Sequence, residues 1–207
     1  MHPGTEKLEQ RPSEDLALAR ELMAGEPGAF ERFVDLYFSK IFRYSFTMCG
    51  HREDAEEVAQ ETLMKAFENL GQLREPEHLK SWVFRIAKNA CLTKRRKSIF
   101  APARELSLEE LRPQRDGEAG ELDIADWSAL PESAAQNAEL RAALDRAVQQ
   151  LPDLYRSIFL LRDVEELSVA ESAAILGVSE DVVKTRLHRA RLMLRNALDT
   201  HLKGVHA

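Results

Sequence analysis

The sequence has little that could tie it together covalently. Only two cysteines occur, Cys49 and Cys91, both within apolar helical patterns, so no disulfide framework is needed and a reducing interior is the natural setting. Cys49-Gly50-His51 has the outline of a metal clip, but no second pair of ligands follows at metal-site spacing, and neither metal nor cofactor is expected. No run approaches the roughly 20 apolar residues of a membrane span. Residues Met1 to Ser13 are polar and lack an apolar core, which speaks against a secretory signal, so a cytoplasmic protein is expected. Missing too are a phosphate-binding glycine loop, a His-Glu-x-x-His pair and a nucleophile elbow. Carboxylates are plentiful but no pair stands out, so the chain does not read as an enzyme. A basic surplus is also absent: the net charge is −6, which argues against a free-standing nucleic-acid binder. That average hides a strong segregation of charge.

What is present is helical spacing almost everywhere. Ser13 reads as an N-cap, followed by Leu16, Ala19, Leu22 and Met23, and Gly25-Glu26-Pro27-Gly28 stops that helix. A second helix carries Phe30, Phe33, Val34, Tyr37, Ile41 and Met48 and ends near Gly50. A third places Ala55, Val58, Ala59, Thr62, Leu63, Ala66, Phe67 and Leu70 on one stripe. The fourth begins after Pro76 with Leu79, Trp82, Val83, Ile86, Ala87 and Ala90, Trp82 being read as core. No segment alternates as a strand would. The expected fold is all-α: a helical bundle over 14–98, an acidic flexible linker over 99–137, and a second helical domain over 138–203. In the linker nine acids face three bases, a net −6 equal to that of the whole chain. Like charges and helix breakers keep such a segment extended. It is either a solvated spacer or an acidic strand that threads a basic channel, and Trp127 favours docking.

The C-terminal part holds the most informative pattern. Ser168-Val169-Ala170-Glu171 is a capping box, and Gly177 suits a left-handed C-terminal turn. Ser179 caps a longer helix whose Val183, Leu187, Ala190 and Leu194 share one face, which makes a helix-turn-helix. At 100° per residue Thr185 points away from that stripe, with His188 and Arg189 beside it and Lys184 and Arg191 on the flank. Such a helix can enter the major groove of DNA; the competing reading is a solvated basic face. In the N-terminal part Arg85, Lys88, Lys94, Arg95, Arg96 and Lys97 lie close together with no acid among them, and Phe84, Asn89 and Phe100 are interleaved. Cations with planar side chains suit single-stranded nucleic acid; the competing reading is a solvated tail. Glu53-Asp54-Ala55-Glu56-Glu57 and Gln60-Glu61 form an acidic face, suited to a basic protein partner or simply to solvent.

In that order these motifs resemble the extracytoplasmic-function (group IV) sigma factors of bacterial RNA polymerase. Asp54-Ala55-Glu56-Glu57-Val58-Ala59-Gln60-Glu61-Thr62-Leu63 with Ala66-Phe67 resembles the polymerase-binding helix of region two. Trp82-Val83-Phe84-Arg85-Ile86-Ala87-Lys88-Asn89 resembles the helix that opens the minus-ten element. Leu151-Pro152-Asp153-Leu154-Tyr155-Arg156 and Val183-Lys184-Thr185-Arg186-Leu187-His188-Arg189-Ala190-Arg191 resemble region four. The resemblance implies a transcription initiation factor without chemistry of its own. Asp54, Glu57, Gln60 and Glu61 would meet the clamp helices of the largest subunit of bacterial core RNA polymerase. Asn89 would face a flipped minus-ten base, with Arg85, Lys88, Lys94, Arg95 and Arg96 on the melted promoter DNA. Lys184, Thr185, Arg186, His188, Arg189 and Arg191 would read the minus-thirty-five duplex, and an anti-sigma factor would be a further partner. The loop Leu73-Arg74-Glu75-Pro76-Glu77-His78-Leu79-Lys80 departs from the small Gly-Asp-Ser type common in the group. The main rival is a stand-alone helix-turn-helix regulator that binds duplex DNA without polymerase.

Overall fold

The computed structural model describes residues 6–96 and 134–205, with side chains described over 14–94 and 141–199. Eight α-helices form within these residues: α1 (Glu6–Ala24), α2 (Ala29–Cys49), α3 (Arg52–Glu68), α4 (Leu79–Arg96), α5 (Ala134–Gln150), α6 (Asp153–Phe159), α7 (Val169–Leu176) and α8 (Glu180–Val205). The expected all-α fold is what forms, and the four N-terminal stripes become its first bundle. Phe33, Tyr37, Ile41 and Tyr44 of α2 are fully buried against Val58 and Ala59 of α3 and Val83, Phe84 and Ala87 of α4. Each large apolar side chain enclosed in this way contributes about 1.5–3 kcal/mol. The Tyr37 hydroxyl donates to Asp15 at 3.0 Å and so ties α1 to α2.

Several local expectations need correction. Ser13 does not cap α1, because the helix already runs from Glu6; the helix-favouring Glu6, Lys7, Leu8, Glu9 and Gln10 extend it upstream. Helix α5 starts at Ala134, inside the stretch read as linker. Phe67 leaves the core stripe: it is 60% exposed and touches Phe30 edge-on, with ring centroids 4.7 Å apart. Trp82 is only half-buried at the edge of the core. Phe100 and Trp127 lie outside the described residues.

The C-terminal helices enclose Leu151, Tyr155, Ile158, Leu161, Ile175, Leu187 and Leu194. Helix α6 widens into a π turn (Leu160–Val164), closed by the Glu165 N–H donating to the Leu160 carbonyl at 2.9 Å. Glu166 follows with φ 56°, a left-handed conformation that reverses the chain into α7. Arg156, only 9% exposed, donates to the carbonyls of Val148, Gln149 and Leu151, satisfying the orphaned C-terminus of α5.

The sequence carried no sign that the two units pack together, but they do. Helix α7 lies on α4, α5 and α6 lie against α2, and one continuous apolar cluster runs through both units. Polar bonds cross the seam as well. Arg156 of α6 donates to the Thr47 carbonyl of α2 at 3.3 Å. Glu165, buried to 3% exposure, accepts from Arg43 of α2 at 3.1 Å and lies 4.0 Å from the Lys80 ammonium of α4. The same ammonium donates to the Glu165 backbone carbonyl. Burial draws the Lys80 pKa below its ordinary value, and the neighbouring Glu165 charge opposes that fall.

Candidate nucleic-acid and polymerase interfaces

The C-terminal face is built by caps. The Ser168 hydroxyl accepts from the Glu171 N–H at 3.1 Å while the Ser168 N–H donates to the Glu171 carboxylate at 2.8 Å, so the expected capping box is complete. Gly177 ends α7 at φ 69°, and its N–H donates to the Ala173 carbonyl at 2.8 Å. No atom other than those of its chain neighbours lies within 4 Å of where a Cβ would stand. Glycine is therefore needed at 177 for its backbone conformation and not for space. Ser179 accepts from the Val182 N–H at 3.4 Å and opens α8.

From that start Val183, Leu187, Ala190 and Leu194 turn inward and are buried, as their spacing requires. Lys184 and Thr185 are exposed on the opposite side, while Arg186, His188 and Arg189 are half-covered beside them. Lys184 rests 3.4 Å from Asp181, both largely exposed, a pairing that water screens and that releases easily. Arg191 is placed differently. Its Nε and Nη2 donate to the two oxygens of Asp163 at 2.9 and 2.6 Å, bracing α8 against the π turn, and this hydrogen bonding raises its pKa. A guanidinium clamped along its Nε–Nη2 edge by a carboxylate positions the helix and already has its charge paired.

The N-terminal basic strip divides. Arg85 and Asn89 are exposed and Lys88 is half-covered, four and three residues apart on one side of α4. Lys94 comes nine residues after Arg85, about half a turn away around the helix at ~100° per residue. There it bonds to Glu57 and stands 3.5 Å from Asp54, both on α3. That hydrogen bond to Glu57 raises the Lys94 pKa. Lys94 thus belongs to the edge of the acidic face and not to the Asn89 surface. The side chains of Arg95, Arg96 and Lys97 lie outside the described residues. Phe84 is not available for stacking on a base. It is fully buried and meets Tyr44 edge-on at 5.5 Å, because position 84 falls on the core side of the wheel that Val83 and Ala87 define.

On α3, Glu57 and Gln60 are exposed and Asp54 and Glu61 half-covered, with Glu61 bonded to Lys65 at 2.5 Å. Met64, which the sequence pattern did not single out, and Phe67, which it assigned to the core stripe, complete this surface, 62% and 60% exposed on the same helix. Apolar residues framed by carboxylates are the composition of a protein-binding patch, with a greasy centre and a polar rim. The available signal was Met64 itself, an apolar residue off the core stripe.

Comparison with known proteins places both units of the chain in one family. Residues 31–98 match the model for Sigma-70 region 2, and residues 141–194 match that for Sigma-70, region 4. The chain is 32% identical over 179 residues to the ECF RNA polymerase sigma factor SigW of Bacillus subtilis (strain 168), covering 86% of this chain and 94% of that one. It is 29% identical over 191 residues to SigM of Mycobacterium tuberculosis (strain ATCC 25618 / H37Rv), covering 92% and 88%. Among solved structures it resembles CnrH in complex with the cytosolic domain of CnrY, with TM-score 0.60, 22% identity, and coverage of 90% and 97%. The sigma factor RpoE of Bartonella quintana, in complex with the anti-sigma factor NepR, gives TM-score 0.59 at 22% identity, covering 83% and 98%. With both sigma regions present in order, and near full-length similarity to SigW, the chain belongs to the extracytoplasmic-function family of RNA polymerase sigma factors.

Proposed function

We propose that this sigma factor docks on core polymerase through α3 and reads its promoter at two places, duplex upstream and melted strand downstream. Asp54, Glu57, Gln60 and Glu61, around Met64, form the polymerase contact, with charges complementary to a basic partner surface. Lys184, Thr185, Arg186, His188 and Arg189 form the minus-thirty-five contact, where Arg or Lys pairs with guanine and Thr offers a hydroxyl and a methyl. Arg191 supports that helix through Asp163. Asn89, with Arg85 and Lys88 nearby, holds a base drawn from the stack; pocket contacts offset the few kcal/mol of unstacking. The single observation that carries the reading is the outward placement of Lys184 and Thr185 on a capped α8 whose opposite face is buried.

An anti-sigma factor is the expected antagonist; one solved neighbour of this fold is held by such a protein. Each DNA contact is weak alone, and joining both on one chain lets either raise the effective concentration of the other. The test is run-off transcription on a pool of promoter fragments, with purified bacterial core polymerase, with and without the protein. Discrete new start sites, abolished by Asn89→Ala or Thr185→Ala, are expected. Tight duplex binding without polymerase, together with no new start sites, would instead establish a stand-alone regulator.

A further inference from the structure

The carboxylates proposed to meet polymerase are already paired within the chain. Along α3, Glu56 accepts from Arg52 at 2.8 Å, and Glu61 stands 2.5 Å from the Lys65 ammonium. Both pairs join residues four apart, the spacing at which neighbours on one helix face meet. Their cations are 78% and 48% exposed, so water screens them and they swing away at little cost.

Lys94 is a different kind of partner, because it reaches α3 from another helix. It donates to Glu57, stands 3.5 Å from Asp54, and is 23% exposed, against 63% and 42% for the two acids. Asp54 and Glu57 lie three positions apart and so adjoin on α3, where one ammonium serves both. The packing of α3 on α4, with Val58, Val83 and Ala87 fully buried, fixes how far Lys94 stands from the two acids. An ammonium offers donors and no acceptor, so the place it fills is a place for a cation. A basic partner surface would seek the same two carboxylates. Its cations meet a like charge there, which they either displace or bear as repulsion.

We infer that Lys94 is an internal competitor for the polymerase-docking carboxylates, a stand-in cation that leaves Asp54 and Glu57 when the cations of the partner take its place. The inference rests on the docking role proposed above for α3. Docking at this point exchanges one ion pair for another instead of forming a new one, so its net gain is only the difference between them. Lys94 thereby limits the affinity for polymerase and shortens the residence of the complex. Its action is on the polymerase contact and not on the DNA strand.

The test is the affinity of the full chain for purified bacterial core polymerase without DNA, read by fluorescence anisotropy from a dye on the N-terminal amine. Lys94→Ala should tighten the complex about two- to fivefold, the range expected for a screened ion pair. Lys94→Arg should loosen it by a similar factor, since a forked guanidinium holds two carboxylates better than an ammonium does. A merely structural pair would not shift the affinity in opposite directions. In a chain that carries Asp54→Asn and Glu57→Gln, Lys94→Ala should add nothing. If Lys94→Ala lowers helical circular dichroism, Lys94→Arg, which keeps the pair, decides alone. An affinity that Lys94→Ala lowers or leaves unchanged would overturn the competitor. So would a loss of about 0.9 in the salt slope of promoter binding by the polymerase complex of Lys94→Ala, since Lys94 would then be a phosphate ligand. The carboxylate variants keep the two ideas apart. If Asp54→Asn and Glu57→Gln loosen the complex while Lys94→Ala does not tighten it, the docking face stands and the competitor falls. If they leave the affinity intact, the docking face falls and takes the competitor with it.

Discussion

Removal of the Arg191 guanidinium separates a helix brace from a phosphate ligand. The two Arg191 bonds to Asp163 join side chains that are 32% and 19% exposed. An exposed ion pair contributes about 0.2–1 kcal/mol, and breaking a fully buried one costs about 3–5 kcal/mol. This pair is bidentate but half-covered and falls between, at about 1–2 kcal/mol. In a chain of this size that lowers the melting midpoint by roughly 3–6 °C. Arg191→Ala should therefore melt earlier, and Asp163→Asn should melt earlier by a similar amount although it removes no cation. DNA binding gives the contrast. Deleting a cation that neutralises one phosphate flattens the dependence of log K on log salt by about 0.9. Titration of a minus-thirty-five duplex with the polymerase-bound chain, over a series of salt concentrations, should show that flattening for Lys184→Ala and none for Arg191→Ala. The brace is refuted if Arg191→Ala flattens the slope as Lys184→Ala does while the melting midpoint stays in place. Arg191 would then leave Asp163 to hold a phosphate.

Gly177→Ala should cost about 1 kcal/mol in urea unfolding, because φ 69° opposes a side chain while open space around its Cβ adds no clash. A loss above about 3 kcal/mol would mean a hidden steric clash, and Gly177→Asn should recover part of the loss. Phe84→Ala should cost about 3–5 kcal/mol, as for other fully buried aromatics, and should weaken recognition of all promoters alike; a change confined to minus-ten preference would contradict its core position. The phenols of Tyr37 and Tyr44 are both pushed well above their ordinary range, chiefly by burial. The unfolded chain gives up these two protons above about pH 10, so stability is whole below that pH and falls as pH rises beyond it, by up to about 1.4 kcal/mol per pH unit for each phenol. Phenolate absorbance from these residues should grow in step with loss of helical circular dichroism, and its full growth in a still helical protein would refute their burial.

Much of the molecule was legible because helices are written in local periods. The stripe Ala55, Val58, Ala59, Thr62 and Leu63 is buried as spaced, and so are Val183, Leu187, Ala190 and Leu194. The Ser168 box and the Gly177 turn were readable because capping involves residues three to five apart. Periodicity was a weaker guide at the margins of a stripe. Phe67 and Phe84 were misassigned in opposite directions, one to the core and one to the surface, since a wheel gives an angle but not the neighbour that fills the space beside it.

Sequence by itself thus determined most of the helices, the Ser168 and Gly177 caps, most of the inward faces and the outward set Lys184, Thr185, Arg85 and Asn89, all of which depend on interactions within a few positions along the chain. Tertiary structure alone decided which charges are occupied. Arg191 meets Asp163 across 28 positions, Lys94 meets Glu57 across 37, and Glu165 meets Lys80 across 85 and Arg43 across 122. Pairings at such separations leave no local pattern, because what brings the partners together is the packing of whole helices, and the favourable charge between them exists only once that packing has excluded water.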